Sequence, residues 1–357
     1  MKIFFVTDRA DAHVARFDAL FEGISSSYSL ATVTYSPQGI PSASFGEHLV
    51  EGWDKIQEFL ETEKALVISG PLDTVTSELA KGKYHHIGIS WATDVMVTAA
   101  SGFPELESLQ STVLGLDLVV TDNYATENAF VGLGVDANKV LRIPWGPEAA
   151  SSDPDGPEQG DARRLVTRAD FGLPEGRKII LCPRSLEALY QPEVFVEAIA
   201  LVAKAHPEVL AVCVEAGSMV PEIKKQIEDL SIAEFFAWQP ARPPAEFQGL
   251  LAVSDAVVVT PKTDGTSVTV MEAMQARIPV VSSLTSGSSE WIIHGVTGWS
   301  FPVGSAEALA TAIVSLLEAT EEHRGLIVAN AHRLVTARAG WSASSLRFAD
   351  AIRSLAP

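Results

Sequence analysis

Short apolar runs alternate with stretches of helical spacing along most of this chain, and the two periods define its expected elements. Met1–Thr7 (MKIFFVT) is apolar, β-branched and aromatic, which predicts a buried strand. Helical spacing follows across Val14, Phe17, Leu20 and Phe21. Leu30–Tyr35 reads as a strand, Leu49–Leu60 as a helix, and Ala65–Ser69, His86–Trp91, Leu116–Thr121 and Val140–Ile143 as further strands. The alternation stops at Pro147–Asp161, which has no period and is rich in Pro, Gly, Ser and Asp, as a linker is. It resumes with strands at Lys178–Cys182, Val209–Glu215, Phe235–Ala237, Ala256–Thr260 and Pro279–Ser282. Helices are expected at Pro192–Ala205, Val220–Leu230, Pro243–Val253 and Ser267–Ala276. From Ser305 the chain is helical to its end, interrupted near Arg338–Trp341.

Strand–helix alternation of this kind predicts βαβ units and parallel sheets. With 357 residues, the chain is expected to form two domains. The expected division is 1–150, a linker at 151–165, a second domain at 166–337, and a helix at 338–357 that returns to the first domain. In such sheets ligands bind at the carboxyl ends of the strands, where the strand order switches.

Composition narrows the function. Asp plus Glu number 45 against 26 Lys plus Arg, for a net charge of −19. So acidic a surface repels nucleic acid and anionic lipid, which argues against both as partners. No run reaches the roughly 18 apolar residues of a spanning helix. The N-terminal apolar run is too short for a signal-peptide core, so a cytoplasmic location is expected. Cys182 and Cys213 lie in apolar runs and read as small buried hydrophobes.

The chemistry concentrates in Ser254–Trp299. A strand ends at Thr260, and the loop Pro261-Lys262-Thr263-Asp264-Gly265-Thr266 leads into a helix with Ser267 as its expected N-cap. Free backbone N–H groups and the helix dipole make an anion site there. Seven residues separate Asp264 from Glu272, which flank that site and can each hold hydroxyl groups.

This segment resembles the retaining glycosyltransferases of family 4, whose signature is an acidic residue, seven residues, then Glu-Ala-Met and a Pro-Val-Val strand. Here it reads Asp264…Glu272-Ala273-Met274…Pro279-Val280-Val281, in the Asp-Gly-Thr-Ser-Val form of one subgroup. Glu290-Trp291-Ile292, followed by the Gly295–Gly298 turn, resembles the same subgroup. So do the Cys182-Pro183-Arg184 strand end, Trp238-Gln239-Pro240 and the Trp341…Phe348 helix. The resemblance implies a GT-B fold, an α/β architecture of two Rossmann-like domains. It implies a hexosyltransferase-type activity without metal or cofactor, taking a nucleotide-diphosphate sugar (a UDP- or GDP-sugar) to a small-molecule or glycan hydroxyl acceptor.

On the same basis Arg184, Asp264, His13 and Asp94 are implied catalytic residues. The implied donor-binding set is Arg184, Gly265, Thr266, Ser267, Val268, Glu272, Trp238 and Lys262. Family members often carry a Lys several residues after the diphosphate Arg. Here Glu187–Gln191 has none, so a second cation must come from elsewhere, with Lys262 and Arg9 the candidates. The Gly-Gly loop common after the first strand is replaced by Arg9-Ala10-Asp11-Ala12. A sugar-nucleotide epimerase and a non-catalytic relative are the alternative classes.

Overall fold

A computed structural model of the chain describes residues 2–7, 29–34, 42–45, 48–147 and 166–355. The helical stretch around Val14–Phe21, His13, Arg9 and most of the expected linker lie outside them. The chain divides into two units, residues 1–148 with 341–357, and residues 149–340.

The first unit holds β1 (Lys2–Thr7), β2 (Ser29–Thr34), the ribbon β3 (Ser42–Phe45) and β4 (His48–Glu51), β5 (Leu66–Ser69), β6 (His85–Ile89), β7 (Leu118–Thr121) and β8 (Val140–Arg142). Its main sheet is parallel, in the order β2-β1-β5-β6-β7-β8. The helices are α1 (Trp53–Thr62), α2 (Thr74–Leu79), α3 (Thr93–Ser101), α4 (Phe103–Leu114) and α5 (Tyr124–Gly132). Alternation along β1 sends Ile3 and Phe5 to one face and Phe4 and Val6 to the other, where α1 buries Ile56 and Leu60.

The expected Leu49–Leu60 helix is corrected at its start. Residues His48–Glu51 pair antiparallel with Ser42–Phe45, and the helix begins at Trp53. The helical stripe is anchored by Ile56 and Leu60, one turn apart. Leu49 and Val50 belong to a ribbon whose partner strand is invisible to a period read from one segment.

The second unit holds β9 (Lys178–Cys182), β10 (Val209–Val214), β11 (Phe236–Gln239), β12 (Ala256–Val259), β13 (Val280–Ser283) and β14 (Trp299–Phe301). Its helices are α6 (Pro192–Val202), α7 (Val220–Asp229), α8 (Pro244–Ala252), α9 (Val268–Gln275), α10 (Ala306–Glu318) and α11 (Glu321–Arg338). The sheet is parallel in the order β11-β10-β9-β12-β13-β14, so the order switches between β9 and β12. Both faces are covered, which is why the strands read as continuous apolar runs rather than alternating ones. Ile180 and Cys182 pack on α6 and α10; Ile179 and Leu181 face Val270, Met271 and Met274 of α9. Cys182 and Cys213 are buried, free and directly opposite one another on β9 and β10.

The helical tail breaks twice, at Thr320, which caps α11, and before α12 (Trp341–Leu355). Because α11 continues to Arg338, the chain re-enters the first unit at Trp341. There Trp341 and Phe348 pack on Trp145 at 6.5 and 6.1 Å between ring centroids. The Ser344 hydroxyl donates to the Pro144 carbonyl at 3.0 Å. Among the described residues no helix is long and apolar enough to cross a membrane.

Burial of His86 has a measurable consequence. Its Nε2 lies 2.7 Å from the Ser69 hydroxyl, which in turn meets the Thr76 hydroxyl at 2.8 Å. Loss of hydration pushes the imidazole pKa down to about 3 from its ordinary 6.5. The native state therefore holds the ring neutral where the unfolded chain binds a proton. This contribution to stability is complete above pH 6.5 and is lost as pH falls towards 3. We expect His86→Gln to flatten the decline in unfolding free energy between pH 7 and 5. A denaturant series at four pH values measures it, and equal slopes for the two proteins would contradict the assignment.

Candidate functional site

The switch point of the second sheet brings two loops together. One leaves β9 and carries Arg184; the other leaves β12 and carries Lys262 to Ser267. Several bonds fix their relative position. Lys262 N–H donates to Leu189 O at 2.8 Å. The Thr260 hydroxyl donates to Tyr190 O, and the Ser283 hydroxyl to Pro261 O at 2.7 Å. Arg184 lies over the ring of Tyr190, with its guanidinium carbon 4.0 Å from the centroid.

A third loop, after β13, closes on the second. A Cβ on Gly287 would stand 2.5 Å from Gly265 C and 2.7 Å from Asp264 O, and closer still to Gly265 O. Only glycine permits this approach of two backbones. Thr285 and Ser288 lock the loop through mutual hydroxyl–backbone bonds of 2.8 and 3.1 Å.

Asp264 is half-buried at the centre of this arrangement. Burial pushes its carboxyl pKa up, while the Arg184 guanidinium, the Ser267 hydroxyl and the Gly265 N–H oppose the shift. Arg184 and Asp264 thus sense each other electrostatically. No carboxylate among the described residues lies within ion-pair distance of Arg184, so the guanidinium remains open to a ligand.

Ser267 holds the N-cap position of α9, but its hydroxyl makes no cap bond, a correction to the expected role. The side chain turns towards Asp264 instead. Its Oγ is buried, in a residue 4% exposed, without a well-aligned hydrogen-bond partner. A buried hydroxyl beside the N–H groups of a helix start gathers donors of the kind an anion needs. Thr266 is buried beside it and Val268 is half-buried. Glu272, one turn into α9, is half-buried with Gln248 Nε2 3.5 Å from its Oε1.

Trp238 stands at the end of β11, half-buried, with Lys224 Nζ 5.0 Å from its ring centroid. Gln239 pins that strand end by donating to Phe171 O at 2.8 Å and accepting from Arg242 at 2.9 Å. The Glu290-Trp291-Ile292 motif serves packing. Trp291 is 1% exposed beneath Arg338, whose guanidinium lies 3.6 Å from Glu290.

In the first unit, Asp94 has a structural task. Its carboxylate accepts from Leu72 N–H and the Ser90 hydroxyl, both at 2.8 Å, and from Val95 N–H at 3.0 Å and Trp91 N–H at 3.3 Å. Burial raises its pKa against those bonds. The group braces the ends of β5 and β6, with its oxygens already engaged. Sequence reasoning missed Gly217, Glu187 and Ser218 in the loops after β9 and β10. A Gly-Ser pair behind a strand is the only local signal they carry. The Ser286–Ser289 loop after β13 reads from sequence as a phosphate or sugar contact, without the backbone approach that Gly287 permits. Among the described residues no group of three or more His, Cys, Asp or Glu could hold a metal ion.

Residues 164–333 match the family described as glycosyl transferases group 1. A D-inositol 3-phosphate glycosyltransferase of Segniliparus rotundus is 28% identical over 231 residues, 62% of this chain and 50% of that protein. A GDP-mannose-dependent alpha-(1-6)-phosphatidylinositol monomannoside mannosyltransferase of Mycolicibacterium smegmatis is 23% identical over 60% of this chain and 57% of its own length. The chain thus aligns with about half the length of these curated relatives. Among solved structures, Anabaena HepE in complex with UDP superposes with a TM-score of 0.77 at 17% identity, covering 99% of this chain and 100% of that one. Sucrose-phosphate synthase of Thermosynechococcus elongatus gives 0.74 at 15% identity, covering 99% of each chain. These likenesses show the fold, which is GT-B.

Proposed function

We propose that this chain is a retaining glycosyltransferase that moves a sugar from a nucleotide-diphosphate sugar to a hydroxyl acceptor. The observation that carries the reading is the donor set at the switch point between β9 and β12. It comprises an open guanidinium, the N–H groups of the α9 N-terminus and the buried Ser267 hydroxyl beside Asp264. This set suits a diphosphate, which needs cationic and N–H donors together. The family match and the names of the aligned relatives support it. So do the UDP and UDP-glucose complexes of HepE, which make a UDP-sugar the first donor to test.

In this reading Arg184 and the Gly265–Val268 backbone hold the diphosphate. Glu272 accepts from the ribose hydroxyls, Trp238 borders the base, and Asp264 meets the donor sugar. The sugar C1–oxygen bond breaks as charge passes to the diphosphate, which those donors stabilise. The acceptor oxygen bonds to C1 on the face the diphosphate leaves, and its proton passes to a diphosphate oxygen. No protein base is required for that step, in keeping with Asp94 being internally engaged.

Calorimetric titration with UDP, GDP, ADP and their sugar derivatives tests the reading. At least one nucleoside diphosphate should bind, and Glu272→Ala should weaken it by about 1.5–3 kcal/mol, the scale of a lost charged hydrogen bond. Absence of binding across the panel would remove the assignment. Unchanged affinity in folded Glu272→Ala would remove that residue's role.

A further inference from the structure

We infer that Glu187 is a positioning residue for Arg184, acting through a clasp between Glu187 and Ser218 that joins the loops after β9 and β10. The inference rests on the donor site proposed above and adds to it a residue that touches neither donor nor acceptor.

The two loops are in intimate contact. Leu186 N–H donates to Ala216 O at 2.7 Å, and Met219 N–H to Leu186 O at 2.9 Å. Gly217, at φ +115°, lies so close that a Cβ there would stand 2.5 to 2.7 Å from the Leu186 backbone. Across this contact the two Glu187 oxygens are both engaged by Ser218. Oε1 accepts from the backbone N–H at 2.8 Å, and Oε2 accepts from the hydroxyl. These bonds hold the carboxyl below its ordinary pKa, so it stays ionised.

The clasp reaches Arg184 by a short covalent and hydrogen-bonded path. Glu187 N–H donates to Ser185 O at 2.9 Å, and Tyr190 N–H donates to Glu187 O at 2.8 Å. The Tyr190 ring is the platform on which the Arg184 guanidinium lies. Fixing Glu187 therefore fixes both ends of the turn that aims Arg184.

A second effect is electrostatic. Glu187 is a carboxylate in the same loop as Arg184, three residues away, and could compete with a phosphate for the guanidinium. Ser218 occupies both of its oxygens. Consistent with that, no carboxylate among the described residues makes an ion pair with Arg184.

The test compares wild type, Glu187→Ala, Glu187→Gln and Ser218→Ala. UDP and uridine are the probes, or GDP and guanosine where the titration panel selects guanine. Releasing the clasp frees the turn that aims Arg184, and a misplacement of about 1 Å at a reacting group costs on the order of 100-fold. Glu187→Ala should therefore lose about tenfold or more in diphosphate affinity and in kcat, with nucleoside affinity and melting temperature unchanged. Glu187→Gln can accept from the Ser218 N–H and donate to its hydroxyl, so it should stay within about twofold of wild type. The Glu187→Ala, Ser218→Ala pair should be non-additive. A diphosphate-to-nucleoside affinity ratio equal to wild type in Glu187→Ala would overturn the inference. So would a parallel loss of nucleoside affinity and thermal stability, which marks a merely structural residue. Failure of wild type to bind any diphosphate would instead overturn the donor site itself, and this inference with it.

Discussion

Arg184→Ala is expected to lower kcat by about 100- to 1000-fold at saturating donor, the cost of removing one preorganised donor from a site of developing negative charge. The guanidinium is unpaired among the described residues, rests on Tyr190 and senses Asp264, so its charge is available to the departing diphosphate. Arg184→Lys should keep part of the binding and lose more of the rate, because an ammonium cannot meet two phosphate oxygens with a planar fork. Steady-state turnover with initial-rate donor titrations separates the two effects. Full activity in Arg184→Ala would transfer the role to another cation, with Lys262, exposed in the neighbouring loop and tied to Leu189, the next to replace.

Gly287→Ala carries the second large effect, through the backbone contact that only glycine allows there. Its new methyl group would sit inside contact distance of the Asp264 and Gly265 backbone, and neither is the end of a flexible side chain. The loop after β13 must then retreat from the loop after β12, which leads directly into α9. Overpacking of this sort costs about 1–3 kcal/mol. Because the displaced atoms border the anion pocket, loss of diphosphate affinity should exceed loss of thermal stability. Paired calorimetric titrations and melting curves measure both. Retained affinity with lowered stability would mean that the pocket does not depend on this contact.

The second unit was the more legible of the two in the sequence. Its strands are buried on both faces and read as uninterrupted runs such as Lys178–Cys182 and Ala256–Thr260, each bounded by polar turns. The Asp264–Ser267 loop was visible because its signal is local, an Asp-Gly turn ahead of a helix. Signals that depend on the third dimension were not. The β3–β4 ribbon needs a partner strand. The Ser267 hydroxyl abandons its cap for reasons set by Asp264. Glu187 and Ser218 meet from loops 31 residues apart, and nothing in either segment announces the other. Asp94 is named by the family resemblance alone, and the four internal donors on its carboxylate come from segments that only the fold brings together.

The most direct test of the account follows the anomeric proton by NMR while the protein turns over UDP-glucose, and then the other members of the donor panel, with a pool of hydroxyl acceptors. The account predicts that a donor is consumed, a nucleoside diphosphate is released, and the first-formed glycoside keeps the donor's anomeric configuration. A product of opposite configuration, or tight diphosphate binding without turnover of any donor, would contradict it.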